Sequence, residues 1–197
     1  LYSNITQNSD ILPKELRRIK TKKFYSMDQI DLIRDRNFII FCLPTPLTKS
    51  NKPDLSYIEN SIKKIKDKCK SRTIFVIEST VYPGATREIF SKYQFKNNKK
   101  INFGFSSERL SPGQTDKKIF KIQLNAIPKV VSGNNKGSEK KIKEFYNLIF
   151  KKVILASSIE VGEMSKLLEN SYRSVNIGLV NEIKILCHKA HINFHDV

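Results

Sequence analysis

Four groups of residues in this sequence have the types and spacing to do chemistry. Pro44-Thr45-Pro46-Leu47-Thr48-Lys49 closes on Pro53-Asp54-Leu55-Ser56, so prolines fix a bend beside the hydroxyl of Thr45. Glu78-Ser79-Thr80 sets an acid and two hydroxyls ahead of the turn Tyr82-Pro83-Gly84-Ala85-Thr86-Arg87. Ser106-Ser107-Glu108-Arg109-Leu110-Ser111-Pro112-Gly113 places a carboxylate beside a guanidinium. Glu163, Lys166, Asn170 and Arg173 fall at i, i+3, i+7 and i+10, which is one face of a helix. A lysine can pass a proton, an asparagine can donate to an oxyanion, and an arginine can pair with an anionic ligand. Each loop taken alone reads equally as an ordinary turn, and a solvated face is the weaker alternative for the helix.

Two other groups invite a chemical reading and support it less. His188, His191 and His195 stand at i, i+3 and i+7 near a helix end, with no acidic or cysteine ligand in a metal-binding spacing. No metal site is expected, and histidines suit a helix C-terminus. Cys42, Cys69 and Cys187 are odd in number, far apart and without CxxC spacing, which describes no disulfide framework. Cys42 lies in an apolar strand and Cys187 in an apolar helix, so both are expected to be buried, unreactive thiols.

The elements that would position these residues alternate between strand and helix. Phe38–Leu43 is a continuous apolar run suited to a strand buried on both faces, stopped by Pro44 and Pro46. Asp54 can cap a helix running to about Lys70, with Leu55, Ile58, Ile62 and Ile65 on one face. Strands follow at Thr73–Glu78, Ile101–Ser106, Lys129–Ser132 and Val153–Ala156, and helices after Gly84 and at Glu139–Phe150. The pattern predicts an α/β fold with a Rossmann-like, mainly parallel sheet, whose ligands bind past the carboxyl ends of the strands. From Glu160 an apolar repeat through Met164, Leu167, Leu168, Val175, Leu179, Ile183 and Leu186 runs without proline to about Ala190. A helix that long commonly joins domains or lines a subunit interface, which places a boundary near Ser157.

Composition limits the remaining classes. The chain has 197 residues, 39% hydrophobic and 28% charged, enough for a buried core and unlike a disordered segment. No apolar run is long enough to cross a bilayer, and no signal peptide opens the chain, so no membrane and a cytoplasmic location are expected. The net charge of +17 is carried mostly by lysine groups such as Lys63–Lys70, Lys96–Lys100 and Lys136–Lys143. They do not alternate with aromatics as a single-strand-binding surface does, and no zinc-finger pattern accompanies them. Beyond Ser158 the balance reverses, so no nucleic-acid partner is expected.

Five strings, in this order, carry a resemblance: CLPTPLTKSNKPDLSYI, ESTVYPGATRE, SSERLSPG, IPKVVSG and EMSKLLENSYRSVNIGLVNE. Together they resemble the UDP-glucose/GDP-mannose dehydrogenase family, and within it the branch acting on UDP-N-acetylglucosamine or UDP-N-acetylmannosamine. The resemblance runs from about Asn37 to Val197. It implies oxidation of a sugar C6 alcohol to a carboxylate with two NAD, in polysaccharide precursor synthesis. The same-fold alternative is UDP-glucose 6-dehydrogenase. It also implies that residues 1–157 are the later part of an NAD-binding Rossmann-like domain. Residues 158–197 would begin a helical middle domain, through which the full-length protein forms a homodimer.

Carried over position by position, the resemblance implies that Thr45 and Thr80 contact NAD, with Thr80 also near the reacting carbon. It implies that Glu108 assists hydrolysis of the acyl-enzyme and that Arg109 and Leu110 touch the nucleotide sugar. Lys166 would be the acid/base or oxyanion partner, with Asn170 beside it and Arg173 on the substrate. Three departures stand out. Ser107 occupies the position where the family usually has proline. No GxGxxG occurs among the 7 glycines, and no cysteine stands in the family's Gly-Gly-His-Cys segment. The first strand–turn–helix and the nucleophile are therefore expected to lie outside this chain, which by itself would be an incomplete catalyst, or a truncated remnant that at most binds a nucleotide sugar or a partner subunit.

Overall fold

Apolar residues on both sides of the second strand organise the protein. A computed structural model describes residues 30–93, 101–108 and 127–197. Five strands, β1 (Phe38–Phe41), β2 (Ile74–Ile77), β3 (Asn102–Ser106), β4 (Lys129–Gly133) and β5 (Val153–Leu155), form one sheet in the order β1-β2-β3-β4-β5. β1, β2 and β3 pair in parallel, β4 runs antiparallel to β3, and β5 is parallel to β4. The expected mainly parallel α/β sheet is present.

The four residues of β2 are all buried because helices cover both faces. Phe75 and Ile77 join one core with Ile58, Ile62 and Ile65 of α1 (Ser56–Ile65) and with Ala85, Ile89 and Phe90 of α2 (Ala85–Ser91). Ile74 and Val76 join the other with Val131 and with Ile142 and Tyr146 of α3 (Lys136–Asn147). Phe38 stacks on Phe145 of α3 at 4.5 Å. Each fully buried isoleucine contributes about 2 kcal/mol, so the α1 stripe alone outweighs any propensity term in that helix.

Local chemistry sets the ends of the helices, sometimes against the sequence expectation. α1 stops at Ile65 rather than near Lys70, because Lys66-Asp67-Lys68 offers no apolar group to hold another turn against the sheet. Asp54 accepts from the Ser56 amide at 2.9 Å, and Leu55 occupies the capping position with no side-chain cap. α3 begins three residues before Glu139, since Asn135 is extended and its side chain accepts from Ser138 N at 3.0 Å. Gly84 precedes α2 at φ 92°, a left-handed conformation that a side chain would oppose. The fourth helix, α4 (Ile159–Lys189), is 31 residues long and is capped by Ser158, whose side chain accepts from Val161 N. Its first turn packs on β3 and β4 through Ile159 and Gly162, whereas residues 171–186 are all exposed. Among the described residues no helix is long and apolar enough to cross a membrane.

Gly104 of β3 has no room for a side chain. A Cβ there would lie 2.0 Å from the Ser132 carbonyl oxygen on β4 and 2.5 Å from Ile142 Cδ1 on α3. Gly104→Ala should therefore destabilise the chain by about 3 kcal/mol in urea unfolding. Gly178 on the exposed stretch of α4 meets nothing within 4 Å, so Gly178→Ala should stabilise by about 0.5–1 kcal/mol. Equal effects of the two substitutions would contradict this packing.

Candidate active site

Because β1, β2 and β3 are parallel, the loops after Phe41, Ile77 and Ser106 leave the sheet at one edge. Antiparallel β4 brings its first residue, Lys129, to that same edge. The first two loops are joined by hydrogen bonds. Thr45 donates its hydroxyl to the Thr80 carbonyl at 2.8 Å, and Ser79 accepts from Leu43 N at 2.9 Å and donates to Leu43 O at 2.6 Å. The two threonines expected to share a ligand thus lie side by side.

A cluster of ionisable groups occupies the same edge on the α3 face. Strand alternation puts it there: Cys42 continues Phe38 and Ile40, Glu78 continues Ile74 and Val76, and Glu108 continues Gly104 and Ser106. Lys129 is buried, with 4% of its side chain exposed. Its ammonium lies 3.1 Å from Glu78 Oε1 and 3.4 Å from Glu108 Oε2, and 5.3 Å from the ring centroids of Tyr146 and Phe150. Tyr146 donates its phenol to Glu78 Oε1, and the Cys42 thiol approaches Glu78 Oε2 at 3.6 Å.

These surroundings keep both donors protonated. Burial, followed by the Glu78 carboxylate, pushes the Cys42 thiol up to about 11 and raises the Tyr146 phenol as well. Cys42 itself is exposed, contrary to the sequence expectation, because β1 ends at Phe41 and the thiol stands in the turn beyond. Its inertness comes from a neighbouring carboxylate as well as from desolvation. Cys187 is buried as expected, and burial holds the half-buried Cys69 up at about 11.

α4 crosses this edge and divides the four residues of its predicted face. Lys166 is half-buried and donates from Nζ to the backbone carbonyl of Glu108, which brings the expected acid and lysine together. Asn170 and Arg173, one and two turns further on, are exposed. Glu163 does not face them. It is 0% exposed and accepts from Gly84 N at 2.5 Å and from Thr86 N at 2.8 Å, at the start of α2. Beside it Arg87 pairs with Glu160 at 2.5 Å. Arg109 and Leu110, with the Ser111-Pro112-Gly113 turn, lie outside the described residues. The side chain of Ser107 is buried, and its hydroxyl has no hydrogen-bond partner among the described residues.

Sequence reasoning missed Lys129, Tyr146 and the role of Glu163. The signal for Lys129 was present, since a lysine opens an otherwise apolar buried strand. Glu163 could not be separated by spacing from the helix face it nominally shares.

Comparison with known proteins adds to this geometry. Residues 9–174 match the NAD binding domain of the UDP-glucose/GDP-mannose dehydrogenase family, and residues 160–197 match its central domain. Protein CapL of Staphylococcus aureus is 34% identical over 203 residues, covering 100% of this chain and 46% of the relative. The UDP-N-acetyl-D-glucosamine 6-dehydrogenase of Salmonella typhi is 34% identical over 199 residues, covering 98% and 45%. The solved structure of a UDP-D-ManNAc dehydrogenase from Pyrococcus horikoshii superposes with a TM-score of 0.80 at 26% identity, covering 98% of this chain and 46% of that one. The chain therefore spans less than half the length of these relatives.

Burial raises the Glu163 carboxyl above its ordinary value of 4.5, an effect only partly offset by the bonds from Thr86 and Gly84. A raised acid binds more protons folded than unfolded, so its contribution to stability is greatest below 4.5 and falls as pH rises through the raised value. Glu163→Gln cannot titrate, and its amide must point one N–H at a backbone donor. In urea unfolding between about pH 4 and pH 7 the native chain should lose more stability with rising pH than Glu163→Gln does. Parallel pH profiles for the two would refute it.

Proposed function

We propose that this chain, which belongs to the UDP-glucose/GDP-mannose dehydrogenase family, is part of an enzyme oxidising the C6 alcohol of a UDP-N-acetylhexosamine to the uronic acid with two NAD. The observation that carries this reading is the bond from Lys166 to the Glu108 carbonyl, which places the helix and the strand-end acid at the edge where Thr45 meets Thr80. Names of relatives support the substrate class, since several are UDP-N-acetyl-glucosamine or -mannosamine dehydrogenases.

The residues present fit NAD in part. Threonine hydroxyls at the carboxyl edge of parallel strands suit its polar groups, and no glycine-rich phosphate loop occurs in the sequence. When bound, NAD would supply the hydride acceptor for each oxidation. Thr45 and Thr80 would contact it, with Thr80 also near the reacting carbon. Lys166 takes the proton released from the C6 hydroxyl and then steadies negative charge on that oxygen, with Asn170 as a second donor. Glu108 draws a proton from the water that frees the uronic acid. That step needs an acyl-enzyme on a cysteine other than Cys42, Cys69 and Cys187. Arg109, Leu110 and Arg173 bind the nucleotide sugar. We place the domain boundary at Ser157, the protein in the cytoplasm and the full-length enzyme in a homodimer.

The test is made in a protein that contains this chain together with such a cysteine. Lys166→Ala should lower kcat by a factor of about 100 or more, comparable to losing one oxyanion donor, while Lys184→Ala changes little. Arg173→Ala should act more on KM. Near-normal rates for Lys166→Ala would remove the catalytic role from this face of α4. In the same assay UDP-N-acetylhexosamines should be turned over faster than UDP-glucose; the opposite order would move the assignment to UDP-glucose 6-dehydrogenase.

A further inference from the structure

Lys129 poses a problem that the proposed reaction leaves unsolved. A buried ammonium is costly to desolvate, and an apolar residue of similar size would fill the first position of β4 at no such cost. The protein nevertheless places Lys129 between two carboxylates, 3.1 Å from Glu78 and 3.4 Å from Glu108. The two acids differ in freedom. Glu78 has 12% of its side chain exposed and takes donors from Tyr146 and Cys42, whereas Glu108 has 41% exposed.

The β3–β4 ladder explains why these groups meet. Gly104 faces Gly133, Phe105 faces Ser132 and Ser106 faces Val131. Continuing that register two residues past the ladder sets Glu108 opposite Lys129 on the α3 face, the position in which opposite charges attract across antiparallel strands. Glu78, from the neighbouring β2, closes the other side. Tyr146 and Phe150 offer the faces of their rings to the ammonium.

We propose that Lys129 is a positioning residue for Glu108: clamped from behind by Glu78 and Tyr146, its ammonium holds the Glu108 carboxylate at the sheet edge in its ionised form. The catalytic consequence rests on reading Glu108 as the group that draws a proton from water, because only the carboxylate can do so. Among the described residues, charged or titratable groups facing Glu108 include Lys129 from β4, Lys166 from α4, Glu78 from the end of β2 and Cys42 from the end of β1. Of these, Lys129 is the one whose buried charge opposes the carboxylate side chain. Lys166 bonds the backbone carbonyl of the same residue.

The test is a carbon-13 NMR titration of side-chain carboxyls in the 197-residue chain, with the Glu108 signal identified by its loss in Glu108→Gln. Lys129→Met should raise the Glu108 midpoint by about half a pH unit or more, and Lys129→Arg should largely restore it. Glu78→Gln should move it the other way, since the ammonium is then no longer shared. Should Lys129→Met fail to fold around an unpaired Glu78, the pair Lys129→Met with Glu78→Gln is compared with Glu78→Gln alone, and the midpoint should again rise. An unmoved Glu108 midpoint in these comparisons overturns the proposal. A shifted midpoint upholds it even if Glu108→Gln leaves turnover of a complete enzyme unchanged; that result would reject only the hydrolytic role of Glu108.

Discussion

One buried carboxylate joins the two halves of the site. Glu163 leaves α4 and receives the amides of Gly84 and Thr86 at the start of α2. That turn follows directly on Thr80 at the tip of β2, and Lys166 lies one helical turn from Glu163. Fixing Glu163 therefore fixes the distance between a strand tip and a helix whose first turn packs on β3 and β4. The amides at a helix start are unpaired donors, and an acceptor from another element satisfies them while defining an angle of approach. The Arg87–Glu160 pair lies alongside but is half exposed, and it contributes much less.

The sheet supplies the other coordinate. Its pleat sends alternate residues to opposite cores, so β2 carries Phe75 and Ile77 to α1 and α2 and Ile74 and Val76 to α3. The same alternation continues past the strand ends, where apolar residues give way to polar ones. Cys42, Glu78, Glu108 and Lys129 all emerge on the α3 face, whereas Ser79 turns to the loop after β1. The reversed strand is what makes the cluster possible. In an all-parallel arrangement, the first residue of β4 would lie at the far edge of the sheet.

Much of this was legible beforehand, for definite reasons. The strands of the sheet are short apolar runs bounded by turn residues, and α1 shows its buried stripe in the spacing of Ile58, Ile62 and Ile65. The neighbouring placement of Thr45, Thr80 and Glu108 followed from the rule that loops at one edge of a parallel sheet converge, whereas Lys166 was joined to them by the family resemblance. Long-range partners could not be read. Nothing near Glu163 in sequence announces Gly84, and nothing near Lys129 announces Tyr146. The direction of β4 was equally hidden, since a short strand can pair with its neighbour in either direction. The errors at the end of α1 and at Cys42 share one cause: composition shows what could extend an element, while the geometry of the turn back into the sheet decides where it stops.

The outer part of α4 gives the isolated chain a particular solution character. Tyr172, Val175, Ile177, Leu179, Val180, Ile183, Ile185 and Leu186 are exposed along one rod, on a molecule of net charge +17. Such a polypeptide behaves as a cationic amphiphile. At low ionic strength mutual repulsion keeps the rods apart, and a Debye length falling from about 30 Å to about 8 Å removes that protection while strengthening apolar adhesion. Dilute, low-salt buffers are thus the conditions in which this chain stays dispersed, and salting out begins along the helix rather than over the sheet.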